Sequence, residues 1–234
     1  MLLHAFDGDL APIHCAAMLG HVSLVEFLLE RGASVRTRGR WSGTPLHFAA
    51  WGGHEAVAEL LLGCGADMEA RATQQATPLF VAASRGHKRV VELLLDRGAD
   101  INTRASWGGS PLHGALYSYG NHNAIAMLLA SRGADLEARD YSGSNLLCNL
   151  AGSGNIDVAQ CFLENGADIQ AREGNGNTPL HLAAANGDGE MVGLLLENGF
   201  DINVENRSGT TPLHLALEKG HENVAALLRR HVVK

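Results

Sequence analysis

Twelve histidines and four cysteines are the side chains of this 234-residue chain most suited to metal binding or nucleophilic catalysis, and their spacing argues against both. His14, His47, His113, His181 and His214 each stand two residues after a proline, and His21, His54, His87 and His221 form a second regular set. Residues that recur once per repeating unit are held about a helix diameter apart, ~8–10 Å. Zinc takes its ligands ~2 Å from one centre. The imidazoles are therefore expected to hydrogen-bond the turns within and between units. The cysteines include no Cys-x-x-Cys pair, the usage of a reducing compartment, and Cys15 and Cys148 read as small core residues. No Gly-x-Ser-x-Gly elbow, His-Glu-x-x-His or phosphate-cradling loop occurs. No catalytic residue, metal or cofactor is expected, and the chain does not read as an enzyme.

Recognition is better represented. Every tryptophan and tyrosine, Trp41, Trp51, Trp107, Tyr117, Tyr119 and Tyr141, falls between residues 41 and 141, beside glycines and polar residues where chain turns are expected. Trp and Tyr are the side chains enriched in binding hot spots. A basic ladder runs in phase with them: Arg38, Arg71, Arg104, Arg139 and Arg172 each follow a glycine by six residues, and the series breaks at Glu205. Arginine beside tryptophan suits a carboxylate or another anion, through bidentate pairing and stacking.

The elements that must hold these residues are legible in a period. Pro12, Pro45, Pro78 and Pro111 are 33 residues apart, Asn145 follows after 34, Pro179 after 34 and Pro212 after 33. Gly32, Gly65, Gly98, Gly133, Gly166 and Gly199 run in step, each closing an apolar run. In the second unit Thr44 can cap a helix that Pro45 begins, Gly52-Gly53 stop it, and Val57, Leu60, Leu61 and Leu62 stripe a second helix. Helices this short are marginal alone. Each unit must bury its stripe against its neighbours, which makes the array a solenoid.

GTPLHFAAWGGHEAVAELLLGCGAD at 43–67 and NTPLHLAAANGDGEMVGLLLENGFD at 177–201 resemble the ankyrin repeat family almost throughout. The resemblance covers about residues 8–231 and implies an all-α solenoid of helix–turn–helix units with β-hairpin fingers. It makes residues 1–234 one domain of seven repeats: 8–40, 41–73, 74–106, 107–140, 141–174, 175–207 and 208–234. In that geometry the fingertips and first helices line a concave groove. Trp41, Trp107 and Tyr141 then share a finger column, and Trp51 and Tyr117 share the end of the first helix. Leu94–Asn102 and Leu195–Asn203 also resemble the segment of ankyrin repeats that an asparaginyl hydroxylase modifies; the plainer expectation is that Asn102 and Asn203 bond within their turns.

Repeat five breaks the pattern, with Asn145 in the proline column and Asn149 in a column otherwise filled by alanine. Extra residues are expected in repeat four around 115–123 and near Ala130-Ser131. The stretch 114–154 is therefore the irregular part, and drift, a hinge or a shaped contact site would produce it.

Net charge is −7, with 11 acids and 10 bases in 1–117 against 14 and 8 in 118–234, so bulk attraction to nucleic acid or an anionic membrane is not expected. No signal peptide or membrane-spanning run is visible, which points to an intracellular, cytoplasmic or nuclear, monomeric protein. The opening MLL is apolar where a solenoid normally needs a polar cap, as expected of a fragment. The leading functional reading is a non-catalytic protein-interaction module. It would take a protein or peptide with an acidic segment in the groove of repeats two to five, on Trp41, Trp51, Trp107, Tyr117, Tyr119 and Tyr141 with Arg71, Arg104 and Arg139 as charge partners. The alternatives are a small ligand or nucleotide in the same Trp/Arg groove, and a structural or targeting fragment of a larger multidomain protein.

Overall fold

The computed structural model describes residues 10–118, 120, 122–139, 143 and 145–232. They form fourteen α-helices in seven pairs: α1 (Pro12–Met18) with α2 (Val22–Glu30), α3 (Pro45–Gly52) with α4 (Glu55–Gly63), α5 (Pro78–Arg85) with α6 (Lys88–Asp96), α7 (Pro111–Tyr117) with α8 (Asn123–Ser131), α9 (Leu146–Ser153) with α10 (Ile156–Glu164), α11 (Pro179–Asn186) with α12 (Gly189–Glu197), and α13 (Pro212–Glu218) with α14 (Glu222–Val232). Contacts divide the chain into two compact units, Met1–Leu129 and Ala130–Lys234, the division falling inside α8.

In the first unit the first helices stack in order, α1 on α3 on α5 on α7, and the second helices follow, α2 on α4 on α6. Leu46, Leu61, Leu79, Leu94 and Leu112 are fully buried between them. In the second unit α9, α11 and α13 form one layer and α10, α12 and α14 the other, closed on Leu146, Leu147, Phe162, Leu180 and Leu195. Both units are all-α stacks of paired helices, as the resemblance to ankyrin repeats implies, each helix layer buried by its neighbour in sequence.

The histidines are staples. The backbone N–H of Thr44 donates to His47 Nδ1 at 3.2 Å, and the Thr44 hydroxyl lies 2.9 Å from the same nitrogen. An amide can only donate, so Nδ1 carries no proton, and Nε2–H donates to the Ala76 carbonyl of the next finger at 3.1 Å. His181 repeats the arrangement with Thr178 and Thr210. The second set points backwards: His54 Nε2 donates to Met18 O at 2.9 Å and His87 Nε2 to Trp51 O at 2.9 Å. Gly53, which ends α3 at φ 75°, lies under the His87 ring, where a Cβ would collide with Nδ1.

Between helix pairs the chain makes fingers that are tight turns, and no named strand occurs among the described residues; the one bridge is Arg139 with Asn145. Finger two closes with Gly39 N–H on Gly43 O at 2.9 Å, finger three with Ala72 N–H on Ala76 O at 2.9 Å. Elsewhere the turn places a glycine at positive φ, such as Gly108 at 84° or Gly176 at 85°. Fingers two and three instead hold two consecutive non-glycine residues there, Trp41 and Ser42 at 57° each and Gln74 and Gln75 at 60° and 58°. That is the type I′ turn without the Asn-Gly that relaxes it, at a cost of roughly 1–2 kcal/mol per residue.

Repeat five is in a different register from the one its proline-column reading gives. Asn145 is the N-cap of α9: its side-chain oxygen accepts from Leu147 N–H at 2.9 Å and Cys148 N–H at 3.2 Å, while its amide donates to Glu137 Oε2 at 3.0 Å. It stands where Thr44 stands, and Leu146 takes the proline's place at the first helical position. Leu150 therefore fills the alanine column, and Asn149 is the half-buried neighbour. Cys148 falls in the histidine column, its thiol 4.0 Å from Asn177 O, where a histidine would donate. Burial pushes that thiol up to about 12. The insertion in repeat four is a single one: Pro111 and Asn123 begin their helices twelve residues apart, where Pro45 and Glu55 begin theirs ten apart, so the extra residues lie in the turn before α8 and none near Ala130-Ser131.

Candidate partner-binding surface

The arginine ladder is built into the fingers. Arg38 Nη1 donates to Ser42 O of its own turn at 2.8 Å and to Arg71 O of the next finger at 2.6 Å. Arg71 does the same with Gln75 O at 3.0 Å and Arg104 O at 2.9 Å. Arg104 donates to Gly108 O at 3.0 Å. In the second unit Arg139 reaches Gly143 O at 2.7 Å and Arg172 O at 3.0 Å, and Arg172 reaches Gly176 O and Glu205 O. In Arg38, Arg71 and Arg172 one Nη1 thus ties a fingertip to the next through backbone carbonyls, and in Arg139 Nη1 and Nη2 share the task. Glu69 and Glu137 add carboxylate links, accepting from Asp100 N–H and Asp168 N–H at 2.8 Å each.

The aromatics gather in the first unit. Trp41, presented by the left-handed turn of finger two, stacks on Trp51 at the end of α3, with ring centroids 5.6 Å apart and planes 25° apart. It also faces Phe48 at 6.5 Å. Phe48 is buried and tilts against His14. Trp41 and Trp51 stay 49% and 37% exposed, so this pair is a surface and not a core. The far wall comes from the next repeat: Phe80, Val81 and Ser84 of α5, with Ala72, Thr73 and Gln74 of finger three. Together they enclose an open recess of about 350 Å³. Two arginines lie on the indoles, Arg85 with its guanidinium carbon 3.1 Å from the Trp51 ring centroid and Arg40 at 4.8 Å over Trp41. Burial lowers the Arg85 guanidinium from its ordinary value, which still leaves it charged.

Phe80 is shared with a second cluster. Its ring meets Trp107 edge-on at 6.1 Å, and Trp107 meets His113 at 6.0 Å and Tyr117 at 6.4 Å. Trp107 is only half-exposed and folds over its own finger, where a Cβ on Gly109 would strike its ring. Tyr117 remains 43% exposed beside it. Of the sequence-predicted residues, Trp41 with Trp51 and Trp107 with Tyr117 are brought together; Arg71, Arg104 and Arg139 are turned to backbone carbonyls. Tyr119 and Tyr141 lie outside the described residues. Phe48, Phe80 and Arg85 escaped the sequence reading. One sign of Phe80 was available, since it occupies the place after Pro78 where five other repeats carry histidine.

The remaining chemistry-bearing groups are separate. Among the described residues no three His, Cys, Asp or Glu side chains converge on a metal site, and no helix is long and apolar enough to cross a membrane. Glu55 and Glu59 pair with Arg89 at 3.9 Å and Arg97 at 2.7 Å one repeat on. Exposed pairs of this kind contribute ~0–1 kcal/mol. Asn102 and Asn203 lie in turns in which their backbone N–H groups donate to Asp100 and Asp201 carboxylates at 2.9 Å.

Profiles described as Ankyrin repeats (3 copies) match residues 64–140 and 147–233, and one described as Ankyrin repeats (many copies) matches 13–62. Among solved structures, the crystal structure of the human ASB11 ankyrin repeat domain is similar over 94% of this chain and 98% of that one, at 28% identity and a TM-score of 0.79. No curated protein matches the chain.

Proposed function

Since the chain belongs to the ankyrin repeat family, whose repeats generally serve as protein–protein interaction modules, we propose that it binds a partner segment whose large apolar side chain enters the recess between repeats two and three. The observation that carries this reading is the stacked, half-exposed Trp41–Trp51 pair, with Trp41 presented on a backbone held in the left-handed region. Strained backbone of that kind persists where the surroundings over-determine it and clusters at ligand clamps. Indole faces open to solvent offer large rigid area at little entropic cost. Phe80 continues the apolar path toward Trp107 and Tyr117, which gives an extended segment a track across repeats two to four. The groove of the reading is thus centred on repeats two and three, and binding, not catalysis, is its chemistry.

The test is selection of displayed random twelve-residue peptides against the full chain, in parallel with a Trp41→Ala/Trp51→Ala chain of matching circular dichroism. Wild type is expected to enrich peptides with a large apolar residue, and the double variant to enrich none of them. Enrichment of the same peptides by both chains would overturn the reading. Displacement of the peptides by adenosine monophosphate, with steep salt dependence, would replace it with nucleotide binding.

A further inference from the structure

We propose that Arg85, lying on the face of Trp51, is the carboxylate receptor of the recess, so that the partner segment carries an aspartate or glutamate next to its apolar anchor. The inference rests on the binding reading above and adds the charge that the recess selects.

Arg85 differs from every other basic group of repeats two and three whose partners are described. Arg71 has its Nη1 on two carbonyls, Arg89 and Arg97 face glutamates, and Lys88 faces Glu92. Arg85 has neither an ion pair nor a hydrogen bond with any described residue. A cation in a last helical turn is favoured by the helix macrodipole. That accounts for the charge, but not for its resting 3.1 Å from the centroid of a neighbouring repeat's indole. Stacking there desolvates and orients the planar group, and a planar guanidinium carries its N–H donors around its rim. The Trp51 platform is itself fixed, because its carbonyl accepts from His87 Nε2 at 2.9 Å. An ordered, partly desolvated fork without a partner is preorganised for a bidentate carboxylate.

Charge complementarity decides the occupant. The lining of the recess includes Arg40 and no aspartate or glutamate, and Arg85 adds a second positive charge at its rim. An ammonium or methylated lysine, which an aromatic recess could otherwise attract, meets only like charge here. The recess, about 350 Å³, sits at the small end of ligand sites, ~300–1,000 Å³, room for one or two large side chains. A protein segment fits that volume and the apolar track leading from it.

The experiment takes the most enriched peptide from the selection, synthesised with its acids as Asp/Glu and again as Asn/Gln. Both forms are titrated into wild type, Arg85→Gln and Arg85→Lys by tryptophan fluorescence. Wild type is expected to bind the acidic form about tenfold more tightly than the amide form, the scale of one charge-assisted pair. Arg85→Gln should bind both forms alike, at the wild-type affinity for the amide form. Arg85→Lys, which keeps the charge but loses the stacked fork, should recover only part of the preference. Enriched peptides that lack acids, carry lysine instead, or bind Arg85→Gln with the preference intact would overturn the role of Arg85 and leave the apolar reading standing. Failure to enrich any peptide that depends on Trp41 and Trp51 would overturn both. Unchanged thermal midpoints of the two Arg85 variants exclude loss of fold as the cause.

Discussion

His47 shows what a single side chain contributes here. Its ring is 4% exposed, accepts the Thr44 amide and donates to Ala76, and burial lowers it to about 4. Protonation would put a hydrogen on Nδ1, where the amide hydrogen already points. The unfolded chain binds that proton near the ordinary histidine value of ~6.5, the folded chain only near 4. Between those values the unfolded state holds more protons, so stability is full above 6.5 and falls as pH drops toward 4. Complete development of the His47 shift is worth on the order of 3 kcal/mol. His14 and His181 are lowered by burial too and add to it in the same direction. Urea midpoints measured from pH 7.5 to 4.5 should therefore decline steadily below pH 6.5; a flat profile would contradict the assignment of Nδ1 as acceptor. The role of the histidines as bridges between turns was legible because regular spacing kept them apart. The fate of the arginines was not. A column of arginine reads the same in sequence whether its donors face a partner or a carbonyl 33 residues on, and only the folded chain brings Arg71 to Arg104 O.

At the scale of elements, fingers two and three hold non-glycine residues in the left-handed region. Glycine removes the Cβ conflict but gives back some backbone entropy, so Ser42→Gly and Gln75→Gly should each stabilise by a few tenths to ~1 kcal/mol. Thermal unfolding measures this, and a lowered midpoint for both would show that the turn is not strained. Trp41 should keep its stack on Trp51 in Ser42→Gly, since the substitution relaxes the residue after it. The helix pairs were readable from period and caps, with one slip. In repeat five the missing proline drew Asn145 into the proline column, whereas its side chain performs the work of the capping threonine. Gly133, twelve residues before Asn145 as Gly65 is before Thr77, kept the true register. Phe48 and Phe80 were hidden for another reason: an apolar residue inside a first helix looks like core, and only the neighbouring repeat shows that its edge opens on a recess.

Across the whole molecule the bonds between repeats depend on distance along the chain more than on which residue supplies them. Arg38 reaches forward 33 residues to Arg71, as Arg71 does to Arg104. His54 reaches back 36 to Met18, as His87 does to Trp51. The chain therefore behaves like a text whose grammar is its offsets. Remove residues 41–73, and Arg38 meets Arg104 O where it met Arg71 O, while His87 arrives at Met18 O in place of His54. Each of these arginine and histidine links finds a partner at its old offset, and only the carboxylate links that Glu55 and Glu69 make to the next repeat are lost. That shortened chain is expected to unfold cooperatively with native helical content, yet without Trp41 and Trp51 it should bind none of the selected peptides. An excision one residue shorter, 41–72, slips all the offsets and should lose the helical signal of the repeats around the cut. Circular dichroism of the two deletions, side by side, separates a scaffold that tolerates loss of a whole word from one that tolerates loss of any letter.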